Sequence, residues 1–403
     1  MRQFSPAARQ NFLAPMRPTK KRGRVLTFLA GATPAGAFAG AWHGARPTFT
    51  RASAAWREGP DGVWSEVASG LPRAHHMGGR PYLMIEPART NAVQGALPDV
   101  GANHIPDGDW DKSGAGAAGV DFFLTPSTIG PGNMGRILPT QAFNGWYEYT
   151  ARDSPSPTKG VYSMLIQADA NETYATWALF QGVPANAKNA SVSATTSWAR
   201  FKSSQTLGYA DYLANVNLFA YQQGAQERRV AGLMAEYEAD YAGTIIFGTA
   251  ADTVRAAETC VIENSSGEAL DPKKGTLSTK VCQLWAASQP TGDLVALDIN
   301  GGAFRIFWDQ SEAKWTATLG GVTFALSAAA ETFAAETEQE LVVSWRDGAA
   351  PTGRVGTGAT QTGGSNYTAP ANNDIYIGSA SDGTSQIGAG FRDLVIYDRE
   401  GVL

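Results

Sequence analysis

Cysteine is nearly absent. Cys260 and Cys282 are the two in 403 residues, which excludes a disulfide framework and a cysteine-built metal cluster. The two could pair only if their strands are neighbours. Histidine is scarce too, with His43, His75, His76 and His104. His75 and His76 read as part of a turn beside Gly78 and Gly79, and no third ligand follows at a useful spacing, so a zinc site is not expected. Charge is thin: 17% of residues carry one, the formal net charge is −5, and no segment holds a basic stripe. That argues against a general nucleic-acid binder. The longest basic cluster, "KKRGR" at 20–24, reads as a solvated tail. Long apolar runs are missing as well. The stretch "KKRGRVLTFLAGATPAGAFAGA" has the basic start, apolar middle and "AFA" of a secretory leader. Its basic group begins late, however, and Pro34 and several glycines interrupt its apolar part. It reads as an uncleaved structural segment, too short and too broken to span a membrane. No nucleophile elbow, P-loop or dinucleotide fingerprint occurs.

What is abundant is glycine, 45 residues, with a hydrophobic share of 43%. That mix suits many short strands joined by tight turns. Single cores stop growing at roughly 250–300 residues, so more than one domain is expected. Residues 1–45, rich in Ala, Pro and Arg, read as an extended arm that docks on another subunit. Residues 46–92 read as a small set of hairpins. Residues 93–255 hold strand-length runs such as "GVDFFLT", "GWYEYTA", "GVYSMLIQADA" and "TYATWALF", separated by turn signals, and read as a jelly-roll sandwich. "ERRVAGLMAEYEADYA" could be helical, but the turn-like "AYQQGAQERR" before it favours a strand. Residues 256–403 repeat this logic as a second sandwich, with "IFWDQSEAKW" as a hairpin and 356–370 as a long loop. The predicted class is all-β: an N-terminal arm and hairpins followed by two β-sandwich (jelly-roll) domains.

The stretch "YLMIEPARTN", ending at Asn91, is an apolar strand that Pro87 terminates. Together with "FTRAS" (Phe49 to Ser53) and Pro72–Arg73, it resembles a segment of tailed-bacteriophage structural proteins. This match covers about an eighth of the chain. The part that follows resembles the carbohydrate-binding-module-like jelly roll of such proteins. It ends in "AEYEADYAGTIIFGTAADTVRAAE", with Val254 where the pattern has Thr. The last part, through "VSWRDG", "DIYIGS" and "FRDLVIYDREGVL", resembles a laminin-G-like or concanavalin A-like sandwich. The resemblance implies a virion structural protein of fibre, spike or head-decoration type, on the outside of the particle, with a polysaccharide depolymerase or a purely architectural component as the alternatives. The arm would bind other virion subunits, the chain would form a homo-oligomer with a trimer as first guess, and the sandwiches would face host surface polysaccharide. It implies no enzyme, no nucleic-acid partner and no membrane insertion. Glu86 and Arg89 then read as structural hydrogen-bonding residues, with Arg89 bonding the Glu86 carboxylate or capping carbonyls.

Three chemistries are open to such a frame. Glycoside hydrolysis needs two positioned carboxylates roughly 5–10 Å apart. The clusters Asp107/Asp109/Asp111, Glu236/Glu238/Asp240 and Asp293/Asp298 supply acids, though a solvated strand edge gives the same pattern. No cofactor is expected beyond a structural calcium, for which "DGDWD" offers Asp107, Asp109 and Asp111 as oxygen ligands; an Asx-rich turn is the plainer reading. Sugar binding uses aromatic faces, and the chain has 11 Trp and 13 Tyr. The candidates are Trp110, Trp146, Trp177, Trp198 and Tyr221 in the first sandwich and Trp308, Trp315 and Tyr367 in the second, most aromatics being expected in cores.

Overall fold

The computed structural model describes residues 24–29, 41–43, 47–91, 110–113, 120–130, 133–139, 146–150, 159–181, 188–202, 207–208, 213–219, 227–237, 239–247, 253–264, 269–299, 301–371 and 373–397. Among these the regular structure is all strand, in sheets of nine, eight, seven, five and two strands. No helix among the described residues is long and apolar enough to cross a membrane.

The second half builds two facing sheets. The nine-stranded sheet is centred on Lys274–Gln283, which lies between Glu338–Arg346 and Ala389–Tyr397. The seven-stranded sheet runs from Val322–Ala325 through Lys314–Leu319, Phe304–Asp309, Leu294–Ile299, Ile375–Ile377 and Thr259–Ile262 to Pro47–Thr50. Strand alternation turns one face of each sheet inward. Leu277, Leu341, Val343 and Phe391 from one sheet share a single core with Ile306, Trp308, Ala317 and Ile377 from the other. The predicted hairpin "IFWDQSEAKW" is present, with Phe304–Asp309 paired to Lys314–Leu319. The segment 356–370 is not wholly loop: Gln361–Thr362 pairs with Thr352–Val355, and Tyr367 is buried.

In the first half, the eight-stranded sheet is organised around Lys159–Ala168 and Arg228–Tyr237, which pair antiparallel over most of their length. The segment that could have been helical is therefore a strand. Val161, Ser163, Met164, Leu165 and Ile166 are all buried, so both faces of Lys159–Ala168 are covered in spite of its polar–apolar alternation. A five-stranded sheet runs Lys188–Ala194, Glu172–Gln181, Leu213–Phe219, Trp146–Thr150, Trp110–Ser113.

The segment expected as separate hairpins, 46–92, is distributed over the fold. Pro47–Thr50 completes the seven-stranded sheet, Ala74–Met77 and Arg80–Ile85 join the nine-stranded one, and Arg89–Asn91 joins the eight-stranded one. Only Ala55–Glu58 and Trp64–Val67 pair solely with each other. The physical reason is area: such hairpins cannot bury enough surface alone, and here "YLMI" goes into the large core as Tyr82, Leu83, Met84 and Ile85. The arm also contributes. Arg24–Leu29 pairs with Ala41–His43 and with residues 394–397 of this same chain. Strand Ala389–Tyr397 thus hands its edge from Arg80–Ile85, at residues 389–391, to Arg24–Leu29. The handover falls at Asp393, a left-handed residue (φ 52°) where the register against Lys274–Gln283 shifts, as a β-bulge requires. Residues 1–23 lie outside the described residues.

Cys260 lies in the seven-stranded sheet and Cys282 in the nine-stranded one. Their strands are not neighbours and both thiols are free. Burial pushes each up to about 12, so neither is a nucleophile at neutral pH.

Candidate functional site

Two polar assemblies lie where the halves meet. The first is a buried charge cluster, built by residues at strand ends. Arg51 follows Pro47–Thr50, Arg73 precedes Ala74–Met77, Glu86 follows Arg80–Ile85, Arg255 closes Thr253–Arg255, and Glu258 precedes Thr259–Ile262. Glu258 accepts from Arg51 Nη1 at 2.7 Å, from Arg73 Nε and Nη2 at 2.7 and 2.6 Å, and from the Glu86 backbone N–H at 3.1 Å. Glu86 accepts from Arg73 Nη2 at 2.5 Å, the Thr244 hydroxyl at 2.6 Å and the Thr244 N–H at 2.8 Å, with Arg255 Nη2 at 3.1 Å. The side chains of Arg51, Arg73, Glu86 and Glu258 are fully shielded from solvent.

Burial alone would raise the Glu86 carboxyl. The guanidiniums of Arg255 and Arg73 and the bonds from Thr244 outweigh it and hold Glu86 well below the usual carboxylate range. Burial would likewise lower Arg73, but Glu258 and Glu86 drive it above its ordinary value. A neighbouring pair adds Glu236, which burial raises against the pull of Arg89. Gly243 is required here by close approach: its N–H bonds Glu236 Oε2 at 2.7 Å, and a Cβ would stand 2.8 Å from Glu236 Oε1 and 3.0 Å from Glu86 Oε1.

Glu86 and Arg89 are thus structural, as read from the sequence, but not with each other. Arg89 lies 3.7 Å from Glu236 and stacks over the Tyr241 ring at 4.8 Å. Arg51, Arg73 and Glu258 received no role from the sequence. The signal available was an arginine or glutamate standing beside each otherwise apolar strand of the quoted segment.

The second assembly is an open cleft of about 240 Å³. Three distant parts of the chain line it: Glu58, Trp64, His75 and His76 with the turns Gly59–Gly62 and Gly78–Gly79, Arg200 from Ala199–Lys202, and Glu336 from the loop before Glu338–Arg346. The Glu58 N–H donates to His75 Nδ1 at 3.0 Å, and His76 Nδ1 donates to the Glu58 carbonyl at 3.3 Å. Burial, then the charge of Arg73, drives His75 down to about 3, so it is a neutral imidazole. Glu336 pairs with Lys202, whose charge is the main cause of its fall to about 2. Burial, and then the negative Glu336, raise Glu58 from 4.5 to about 7, against the pull of Arg200 and Lys202. Among the described residues nothing in the protein bonds the Glu58 carboxyl oxygens, while Arg200 Nε is buried without a partner. Glu336 is also one of four non-glycine residues described at positive φ (61°), a backbone strain that tends to collect at functional sites.

A stability test follows. Because the folded Glu58 pKa lies above 4.5, ionising it costs stability progressively as pH rises through about 7; below 4.5 both states are protonated and nothing is lost. Glu58→Gln removes this cost. The stability of the variant relative to wild type should therefore grow by about 2–3 kcal/mol between pH 4 and pH 8. His75 has the opposite slope, its neutral form being lost as pH falls from about 6.5 toward its folded value, and is common to both proteins. Urea midpoints at the two pH values measure the difference. A constant difference would show that Glu58 is solvated.

The sugar-contact candidates divide. Trp308 and Trp315 are 0% exposed and Tyr367 is 1% exposed, which corrects their reading as sugar platforms. Trp308 and Trp315 are cross-strand partners, so both rings fall on the same, inward face. Their rings stack with Trp285, and Trp308 also meets Phe333. Their N–H groups are satisfied inside, by Gln310 at 3.0 Å and Gln339 at 2.7 Å, while the Tyr367 hydroxyl donates to Pro272 O at 2.5 Å. Trp198 is half-buried and packs against the core of Trp64, Leu165 and Ile245. Trp110, Trp146 and Trp177 fall on strands of the five-stranded sheet, where backbone register alone is described. Tyr221, Asp107 and Asp109 lie outside the described residues, and Asp111 falls on the strand Trp110–Ser113, opposite Glu148. No group of three metal-binding side chains exists among the described residues.

The acidic pairs do not form catalytic dyads among the described residues. Glu236 is enclosed in the charge cluster, and Glu238 lies outside the described residues. Asp298 is committed to the N–H groups of Gly302 and Ser381 and to Arg305, while Asp293 caps Gln310. The carboxylates that do share a cleft, Glu58 and Glu336, were not found from the sequence, because 278 positions separate them.

No family model matches the chain, and no curated protein matches its sequence. Among solved structures, a Trypanosoma rangeli sialidase in complex with the inhibitor DANA is 11% identical over 70% of this chain and 51% of its own, with a TM-score of 0.26. Another structure of that sialidase, in complex with 2,3-difluoro-KDN, is 17% identical over 36% of this chain and 24% of its own, at 0.25. The N-terminal CBM22 tandem of Paenibacillus barcinonensis Xyn10C is 8% identical over 79% of this chain and 98% of its own, also at 0.25. The chain spans about half or less of the sialidase chains. At these TM-scores the chain is similar to them only in being built of β-sheets, and the comparison carries no argument about activity.

Proposed function

We propose that the chain is a structural component of a tailed-phage particle, of fibre, spike or decoration type, whose sandwiches attach to host surface polysaccharide without cleaving it. One observation carries this reading. The residues that resemble the phage segment, Arg51, Arg73, Glu86 and Arg89, lie with Arg255 and Glu258 in and around one shielded charge cluster. Groups so enclosed cannot touch a substrate; they fasten the hairpin segment to both sandwiches. A motif spent on a rigid joint suits a protein that bears load and presents surfaces. The arm, through residues 1–23, would contact other virion subunits, and a symmetric oligomer, a trimer first, would multiply weak glycan contacts into avidity. The reading places the protein on the outside of the particle and needs no cofactor.

Size-exclusion elution of purified host surface polysaccharide, with and without the full chain, tests this. Co-elution with intact polymer is the expected result. Conversion of the polymer to smaller fragments would overturn the non-enzymatic reading and turn attention to Glu58 and Glu336.

A further inference from the structure

The cleft adjoins the joint just described, through Arg200 and Gly243, but opens outward, and its chemistry is specific. Of its fixed charges, one has an opposite charge beside it and one, Arg200, is bonded only to neutral groups, with its Nε unbonded. Glu336 pairs with Lys202, and Arg200 Nη2 donates to Ser163 Oγ at 2.8 Å and to Gly243 O at 2.5 Å. What the cleft offers a visitor is therefore a polar lining of mixed charge: the Glu58 carboxyl, with no protein partner among the described residues, the uncharged imidazoles of His75 and His76, the Arg200 guanidinium with its free Nε, and the turns at Gly59–Gly62 and Gly78–Gly79. At Gly62, Gly78 and Gly79 a Cβ would meet nothing within 4 Å, so the turns leave their backbone edges open to approach. A strongly anionic ligand would meet Glu336 and Glu58, and a cation would meet Arg200. An apolar ligand would strip water from carboxyl and imidazole groups and return no hydrogen bonds.

We infer that this cleft binds one neutral, hydroxyl-rich pyranose residue of a glycan, held by Glu58, His75, His76 and Glu336. The volume fits a single sugar ring rather than an extended chain. The Glu58 carboxyl and the histidine nitrogens both donate and accept, which is what vicinal hydroxyls require. The Glu336 carboxylate, fixed by Lys202, is a strong acceptor at the cleft edge. The inference deepens the glycan-attachment reading by giving it a site, and it places that site among the hairpin segment and both sandwiches.

The full chain, labelled with carbon-13 at histidine, gives a simple spectrum of four imidazoles. Methyl glycosides of glucose, galactose, mannose and N-acetylglucosamine are titrated, with glucuronate as the charged comparison. The expected result is that at least one neutral glycoside shifts the His75 and His76 signals while His43 and His104 stay in place. Glu58→Ala should weaken that binding by tenfold or more, and Glu58→Gln, which keeps shape and hydrogen bonds, by less. An undisturbed histidine spectrum in the variants shows that they fold. No shift with any neutral glycoside, a shift with glucuronate alone, or a shift that Glu58→Ala leaves unchanged overturns the inference. Elution with host polysaccharide separates the two readings. Polymer that binds wild type and Glu58→Ala equally removes the cleft and keeps attachment. A glycoside shift without polymer binding keeps the cleft and removes attachment to that polymer.

Discussion

Replacing Glu258 by glutamine is expected to cost the fold about 3–5 kcal/mol, the usual result of breaking a buried ion pair from one side. Glu258 faces Arg51 and Arg73 with its side chain fully shielded. Glutamine keeps the size but removes the charge, and its amide N–H₂ would point at guanidinium donors. Arg51 would keep its bonds to the carbonyls of Val67 and Ala68, at 3.0 and 2.7 Å, and Arg73 its bond to Glu86. Neither set replaces a carboxylate between two cations. The measurement is the urea midpoint followed by tryptophan fluorescence, with the slope unchanged. The comparison variant is Arg80→Ala, which breaks the pair Arg80–Glu338 at 3.1 Å, where Arg80 is 56% exposed; it should cost less than about 1 kcal/mol. If Glu258→Gln costs no more than Arg80→Ala, the cluster is hydrated and does not fasten the sheets. The contribution of Glu86 has a definite pH sign. Its folded pKa is depressed, so its stabilisation is complete above the ordinary carboxylate range and is lost only as pH falls through and below that range. The joint should therefore hold at mildly acidic pH.

Strand content was legible in the sequence because strand signals are local. The alternation in "IFWDQSEAKW" and the turn between its halves suffice to give the hairpin Phe304–Asp309 with Lys314–Leu319. Pairing over long separations was not legible. Arg89 is three positions from Glu86, so a sequence reading couples them, yet its charge partner is Glu236. Glu86 instead shares Arg73 with Glu258, 172 positions on. The cleft shows the same limit, since nothing local marks residues 58, 200 and 336 as neighbours. Residues 1–45 read as an arm for another subunit because their Ala-, Pro- and Arg-rich composition gives no local sign of a core, and composition does not say whose edge such a segment will take. In this fold its strand Arg24–Leu29 takes the end of Ala389–Tyr397 in its own chain.

Trp308, Trp315 and Tyr367 failed as site markers for a related reason, and Trp308→Ala tests the failure directly. Composition cannot distinguish a ring that stacks on a sugar from one that fills a core, because both are large, apolar and equipped with one polar atom. Register decides it. Trp308 faces Trp315 across the hairpin, and the pair meets Trp285 and Phe333 at ring separations of 5.1 to 6.2 Å. Removing Trp308 would empty a site bounded by three other rings on rigid strands, which can collapse only in part. The expected loss is about 3–5 kcal/mol, as for large-to-small changes in packed cores, again read from the urea midpoint. Gln310 would lose its indole donor but, being only partly buried, can turn to water. If the wild type co-elutes with polysaccharide as proposed, co-elution per folded molecule should not change in the variant, since Trp308 is 0% exposed. A variant of normal stability with lost co-elution would place Trp308 on a binding surface and overturn the core assignment; a destabilised variant that still co-elutes confirms that the sugar is held elsewhere.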